Sequence, residues 1–211
     1  YPSGHIYMTL KDEQSELSAV VFSQHAHQLS SEPQIGQKVT VNGSLSLYSP
    51  KGKFQFQIRN IYPTGQGELW MAYEALKEQL QAEGLFDHER KKDIPKYPSR
   101  IGIITSGKGA ALRDMLQVLK RRAPHLSCII YPVPVQGRDA GEQISIALDT
   151  MNEYGTIDAL ILGRGGGSME DLWCFNDEQV IRSIYSSNIP VISAIGHEAD
   201  TTLSDYAADL R

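Results

Sequence analysis

Between Asp158 and Leu172 the chain reads DALILGRGGGSMEDL, an apolar run that ends in three consecutive glycines and passes directly into acidic residues. A strand that feeds a glycine turn and then a helix aims backbone N–H groups at an anion, because the first amides of a helix lack partners and carry partial positive charge. Gly165, Gly166 and Gly167 let the backbone come close to a ligand and take up φ values closed to other residues. Arg164 sits inside the turn, and its planar guanidinium suits two phosphate oxygens at once. The same letters also fit a tight turn bearing an exposed arginine, so the surrounding sequence must decide.

The surroundings repeat the pattern. From Arg100 onward strand, loop and helix alternate: RIGIITS, GKG and AALRDMLQVLKRR; CIIYPVPV and EQISIALDTMNEY; DALILG and EQVIRSIYSS; PVISAIG and HEADTTLSDYAADL. Such alternation predicts right-handed β-α-β units around a buried, mainly parallel sheet, a Rossmann-like α/β domain over 100–211. Ligands of these sheets sit outside the carboxyl ends of the strands. Four loops therefore converge on one crevice, bringing Ser106, Lys108 and Asp114, then Gln136 and Arg138, then Arg164 with Gly165, Gly166, Gly167 and Ser168, and last His197, Glu198 and Asp200.

Each polar residue has a plain structural reading beside the chemical one. His197 follows a strand and is expected at a helix N-terminus, where the dipole disfavours the protonated ring and a neutral imidazole takes a proton from water or passes one to a leaving oxygen. Asp200 orients His197, caps the helix or helps hold a metal. Asp114 reads as a first-turn acid favouring its helix dipole, and Glu170 and Asp171 read as helix-start acids.

Residues 1–65 follow another grammar. HIYMTL and LSAVVF flank the polar turn KDEQSE as a hairpin, KVTVNGSLSLY is a long strand broken at Asn42 and Gly43, and KFQFQIRNIYP alternates with period two. Four or five short strands in this length predict a small OB-type β-barrel. Barrels of that kind bind single-stranded nucleic acid on aromatic and basic side chains, for which Tyr7, Tyr48, Lys51, Lys53, Phe54 and Phe56 are candidates, with Lys108 added from the crevice. Residues 66–99 read as an amphipathic helix from Glu68 to Glu83, stopped by Gly84, and then an extended, solvated linker through LFDHERKKDIPKYPSR.

Composition excludes several classes. A net charge of -5 excludes a bulk-basic nucleic-acid binder and leaves only local patches such as Arg90-Lys91-Lys92 and Lys120-Arg121-Arg122, each of which also fits a solvated face. Cys128 and Cys174 lack metal-ligand spacing and fit free thiols in a reducing cytoplasm. No apolar run approaches the roughly 20 residues of a membrane span, so no membrane partner is expected. The glycine loop lacks the Gly-Lys-Ser/Thr ending of a Walker A motif, and Ser168 replaces the third glycine of a dinucleotide fingerprint. Beginning at Tyr1 and stopping at Arg211 after a helical pattern, the chain reads as a fragment truncated at both ends.

With these residues assembled, the chain resembles the large subunit of bacterial exodeoxyribonuclease VII. The likeness rests on GHIYMTLKDEQSELSAVVF, EGLFDHERKK, GRGGGSMEDLWCFNDEQVIRSI and PVISAIGHEAD with its closing ADLR. It implies hydrolysis of single-stranded DNA from its ends to short oligonucleotides, with an OB domain holding the strand. Carried over by motif, the essential positions fall on Asp114, Arg164, His197 and Asp200. The family tolerates chelators, so no obligatory cofactor is implied, although the carboxylates suit Mg2+. A small helical subunit is the implied partner, held through a C-terminal helical extension absent here, and the isolated fragment is expected to be inactive. Two readings from other classes stand beside this one: a noncatalytic single-strand-binding module and a nucleotide-dependent transferase or reductase.

Overall fold

The computed structural model describes residues 4–12, 14–26, 29, 33–48, 52–63, 67–196 and 201–211. The chain divides into two compact units, Tyr1–Ala72 and Tyr73–Arg211.

The first unit is a four-stranded mixed sheet in the order β1-β2-β4-β3, built from β1 (Ile6–Lys11), β2 (Glu16–Val21), β3 (Val39–Tyr48) and β4 (Lys53–Pro63), with a short α1 (Ser23–Ala26). β1 and β2 form the expected hairpin, in antiparallel register from Ile6 opposite Val21 to Lys11 opposite Glu16. β2 pairs parallel with β4, and β3 antiparallel with β4. Asn42 and Gly43 do not break β3 but shift its register in a bulge. Only glycine fits there, because a Cβ on Gly43 would overlap the Gln57 carbonyl. Ala19, Val21, Ile58 and Ile61 make the small core of this sheet.

In the second unit β5 (Arg100–Thr105), β6 (Ser127–Pro132), β7 (Ala159–Arg164) and β8 (Val191–Ile195) form an all-parallel sheet in the order β6-β5-β7-β8. Alternation along β5 sends Ile101 and Ile103 to a core with Leu112 of α3 (Ala110–Arg122), and Ile104 to a larger core with α4 (Ala140–Glu153) and α6 (Glu178–Ser186). Phe175 and Leu148 are wholly buried in that larger core, each contributing roughly 1.5–3 kcal/mol. At the amino end of the sheet the Asp158 carboxylate accepts from Ser99 and Arg100 N–H at 2.6 and 2.8 Å, which ties the starts of β5 and β7 together.

Two segments differ from the sequence expectation. Helix α2 (Gly67–Ala82) ends before Gly84, whose φ of 79° makes the stop, but the charged stretch after it is only in part the solvated linker expected. Leu85 is buried, His88–Arg90 forms a 3-10 turn, Lys91 Nζ donates to Ala208 O at 2.8 Å and Lys92 N to Asp209 Oδ1 at 2.7 Å. Lys91 and Lys92 are thus spent on partners within the unit, while Glu89, Asp93 and Lys96 remain exposed. The second difference follows the glycines, where the chain makes one turn of α5 (Met169–Leu172), a 3-10 turn (Trp173–Asn176) and only then α6.

Candidate functional site

β5 connects to β6 on one side while β7 lies on its other side, so the strand order reverses between β5 and β7. The crevice of a doubly wound sheet opens at such a reversal, outside the carboxyl ends. The loops that leave these two strands are 106–109, with Lys108 exposed, and Gly165–Ser168, exposed throughout. Gly165 has empty space where a Cβ would stand, and none of the three glycines has positive φ. The freedom at Gly165 is therefore one of room rather than of an unusual backbone angle, which corrects the sequence expectation and leaves the main chain there open to a ligand. Gly167 is constrained differently: a Cβ there would lie 3.0 Å from Arg164 Nη2 and 3.0 Å from Asp171 Cβ.

Arg164 is not the exposed arginine of a plain turn. Its side chain is only 10% exposed. Nη1 donates to Val135 O at 3.0 Å and also to Asp171 O, while Nη2 donates to Gln136 Oε1 at 3.0 Å and stands 3.8 Å from Asp171 Oδ1. The guanidinium thus braces the loop after β6 against the glycine loop and brings Gln136 to the same place. Asp171 closes a capping box, accepting from Ser168 N and Oγ at 3.1 Å each. Those bonds, and next the Arg164 charge, hold its carboxyl below the ordinary carboxylate range. With a lowered folded value, the cap persists as pH falls through that range and opens only below it.

Cys174 lies just beneath, its Sγ donating to Val135 O at 3.3 Å, and burial pushes its thiol up to about 11 despite the nearby Arg164 charge. Both cysteines are free. A disulfide reagent at pH 8 is expected to modify the half-buried Cys128 before Cys174, followed by mass spectrometry of the native protein; equal rates would contradict the packing described.

Asp114 is exposed on α3 and is the fifth residue of that helix, so it is not a first-turn dipole acid. Its neighbour Met115 packs on β7 where Gly163 leaves room, since a Cβ on Gly163 would sit 3.3 Å from Met115 Cε. That contact sets the Asp114 turn of α3 level with the end of β7. On the other side Arg164 pairs with Ile195 of β8, and Gly196 N donates to Arg164 O at 3.1 Å. The loop bearing His197 and Asp200 therefore leaves the sheet beside Arg164, although both residues lie outside the described ones.

The far end of that loop is fixed by groups that sequence reasoning left within an undivided helix. The helix described there is short, α7 (Leu203–Ala207), with Thr202 as its N-cap, and the helix-start placement expected for His197 and Asp200 falls outside the described residues. Asp205, buried, accepts from Ser193 Oγ at 2.6 Å and from Thr202 N at 2.7 Å, while Asn176 Oδ1 takes Leu203 N–H at 2.8 Å. The signal was present in the capping spacing of Thr202 and Asp205, as in that of Ser168 and Asp171. Among the described residues no three His, Cys, Asp or Glu side chains converge to hold a metal ion.

The first unit carries a separate concavity of about 880 Å³ on one face of its sheet. Tyr7, Tyr48 and Lys53 line it among Thr9, Ser18 and Gln57, with Tyr7 and Tyr48 54% and 47% exposed. Phe54, 62% exposed, borders the cavity too, but alternation places it on the opposite face of β4, across from Leu47. Phe56 packs against the core, and Lys51 lies outside the described residues.

Comparison with known proteins follows the same division. Residues 1–62 match the model of an OB-fold nucleic acid binding domain, and residues 85–211 match that of the exonuclease VII large subunit. The chain belongs to the exonuclease VII large-subunit family. It is 52% identical over its whole length to the exodeoxyribonuclease 7 large subunit of Tolumonas auensis, covering 47% of that protein. It is 49% identical over 99% of its length to the proteins of the same name from Pasteurella multocida and Bacillus subtilis, covering 47% and 46% of them. The chain thus spans about half the length of the curated relatives it matches. The family match accords with the mixed sheet followed by an all-parallel α/β sheet. No helix among the described residues is long and apolar enough to cross a membrane.

Proposed function

We propose that the whole protein hydrolyses phosphodiester bonds of single-stranded DNA to short oligonucleotides, with residues 1–65 holding the strand, 66–99 joining the units and 100–211 supplying the hydrolytic site. The observation that carries this reading is the exposed Gly165–Ser168 backbone braced by Arg164 at the reversal point of the parallel sheet. The amides of that loop and the guanidinium hold the scissile phosphate and stabilise the charge that grows on it in the transition state. His197 takes the proton of the attacking water or returns one to the leaving oxygen, Asp200 orients it, and Asp114 positions the water. Mg2+, when bound, would neutralise phosphate charge, with Asp114 and Asp200 as the carboxylates to hold it, but no step here depends on it. Bases stack on Tyr7 and Tyr48 while Lys53 meets phosphate. A small subunit is the partner, engaged through chain outside these residues, and the free thiols fit a reducing cytoplasm.

The full-length protein assembled with its small-subunit partner, incubated with end-labelled single strands and with the same sequence as a duplex, is expected to release short oligonucleotides from the single strands. Strands bound and recovered intact would instead establish a binding module. Saturable mononucleotide binding in calorimetry without cleavage would establish a transferase or reductase.

A further inference from the structure

Two helices packed on opposite faces of the parallel sheet, α3 and α4, carry opposite charge. On one face, residues 108–122 hold Lys108, Arg113, Lys120, Arg121 and Arg122 against the single acid Asp114, a surplus of +4 in a chain whose net charge is -5. On the other, α4 holds Glu142, Asp149 and Glu153 and no cation, all three exposed. The apolar side of α3, with Leu112, Met115, Leu116 and Leu119, is turned to the core, and its five neighbouring cations are all exposed. Arg113, Gln117, Lys120 and Arg121 recur at helical spacing and form one stripe. Among the described residues none of these cations is paired with a carboxylate. The helix dipole accounts for the basic last turn, but not for Lys108 and Arg113 at the other end.

We propose that this stripe is the path along which single-stranded DNA extends away from the crevice, its phosphates meeting Arg113, Lys120 and Arg121 in turn. It rests on the nuclease reading and adds to it the direction in which the strand leaves the cleavage point. Asp114 lies beside the stripe, so the path is continuous with the candidate site. Arg113 and Arg121 are eight residues apart in the helix, about 12 Å along its axis, which is about three to four nucleotides at the stacked rise of 3.4 Å. A phosphate backbone supplies the repeating negative charge that a row of such cations on an otherwise acidic chain would meet.

The test uses the full-length protein assembled with its small-subunit partner and carrying Arg113→Gln, Lys120→Gln and Arg121→Gln combined, beside a charge-conserving triple of Arg113→Lys, Lys120→Arg and Arg121→Lys. Binding of fluorescent oligothymidylates of increasing length is followed by anisotropy across a salt series, and hydrolysis of the same strands is timed. Loss of three phosphate contacts is expected to flatten the slope of log K against log[salt] by about 2, since each contact contributes about 0.7 on single strands. The preference for long over short strands in kcat/KM should fall about tenfold, while the charge-conserving triple keeps the wild-type slope. An unchanged slope and length preference in the neutral triple would overturn the stripe. If the wild type releases no oligonucleotide, the nuclease reading fails by itself, and the salt slope still decides whether α3 meets phosphate.

Discussion

Arg164→Ala in the full-length protein is expected to lower kcat/KM on single-stranded DNA by about a thousandfold or more. Removing one preorganised donor from a developing oxyanion costs about 10²–10³ in rate, and a transition-state arginine in phosphoryl transfer is worth about 10³–10⁵. Arg164 has a second role that adds to this, because it joins Val135 O, Gln136 Oε1 and Asp171 across two loops. Its loss leaves part-buried acceptors without a donor, at about 1–3 kcal/mol each, and frees the glycine loop from the support on which its amide geometry depends. Arg164→Lys restores the charge but not the fork, since one ammonium cannot reach acceptors that lie on both arms of the guanidinium. Lysine should therefore recover less than about a tenth of wild-type kcat/KM. Steady-state hydrolysis of a labelled oligonucleotide, with thermal melts to track folding, makes the measurement. An alanine variant within tenfold of wild type would remove Arg164 from the mechanism.

His197→Ala should lower kcat by about 10²–10⁴, the usual contribution of a positioned acid or base, and leave single-strand affinity within about twofold. The separation of the two effects is the informative part. In the proposed mechanism the strand is held by backbone amides, Arg164 and the aromatic face of the first unit, none of which needs the imidazole, whereas proton transfer does. Anisotropy with a labelled strand and single-turnover hydrolysis read the two quantities independently. A parallel loss of affinity would mean that His197 grips the strand, and a near-wild-type rate would end its assignment.

Much of this was legible before the structure. Period-two alternation marked β1, β2 and β4, and the alternation of apolar runs with helices marked the parallel sheet, because burial on both faces needs continuous runs in strands and a stripe in helices. Four loops at one sheet edge follow from that topology, so Arg164 and the glycines could be placed by grammar alone. What escaped was decided by long-range partners. Lys91 and Lys92 look solvated until Ala208 and Asp209 are seen to receive them. Asp205 looked like one polar residue of a helix, yet it ties β8 to the segment that carries the candidate histidine loop. Phe54 was grouped with Lys53 by nearness in sequence, although adjacent residues of a strand face opposite ways.

The carboxylate of Asp209 has a further consequence. One oxygen accepts from Lys92 N at 2.7 Å and the other from Val191 N at 2.7 Å, at the first residue of β8. The segment ahead of β5 and the segment that follows α7 are thus stitched together at the amino edge of the sheet, opposite the crevice. The unit behaves like a loop of thread pulled through a single eyelet. A fusion or spliced-in domain placed at that corner would leave the opposite edge of the sheet, with its exposed Gly165–Ser168 loop, unobstructed.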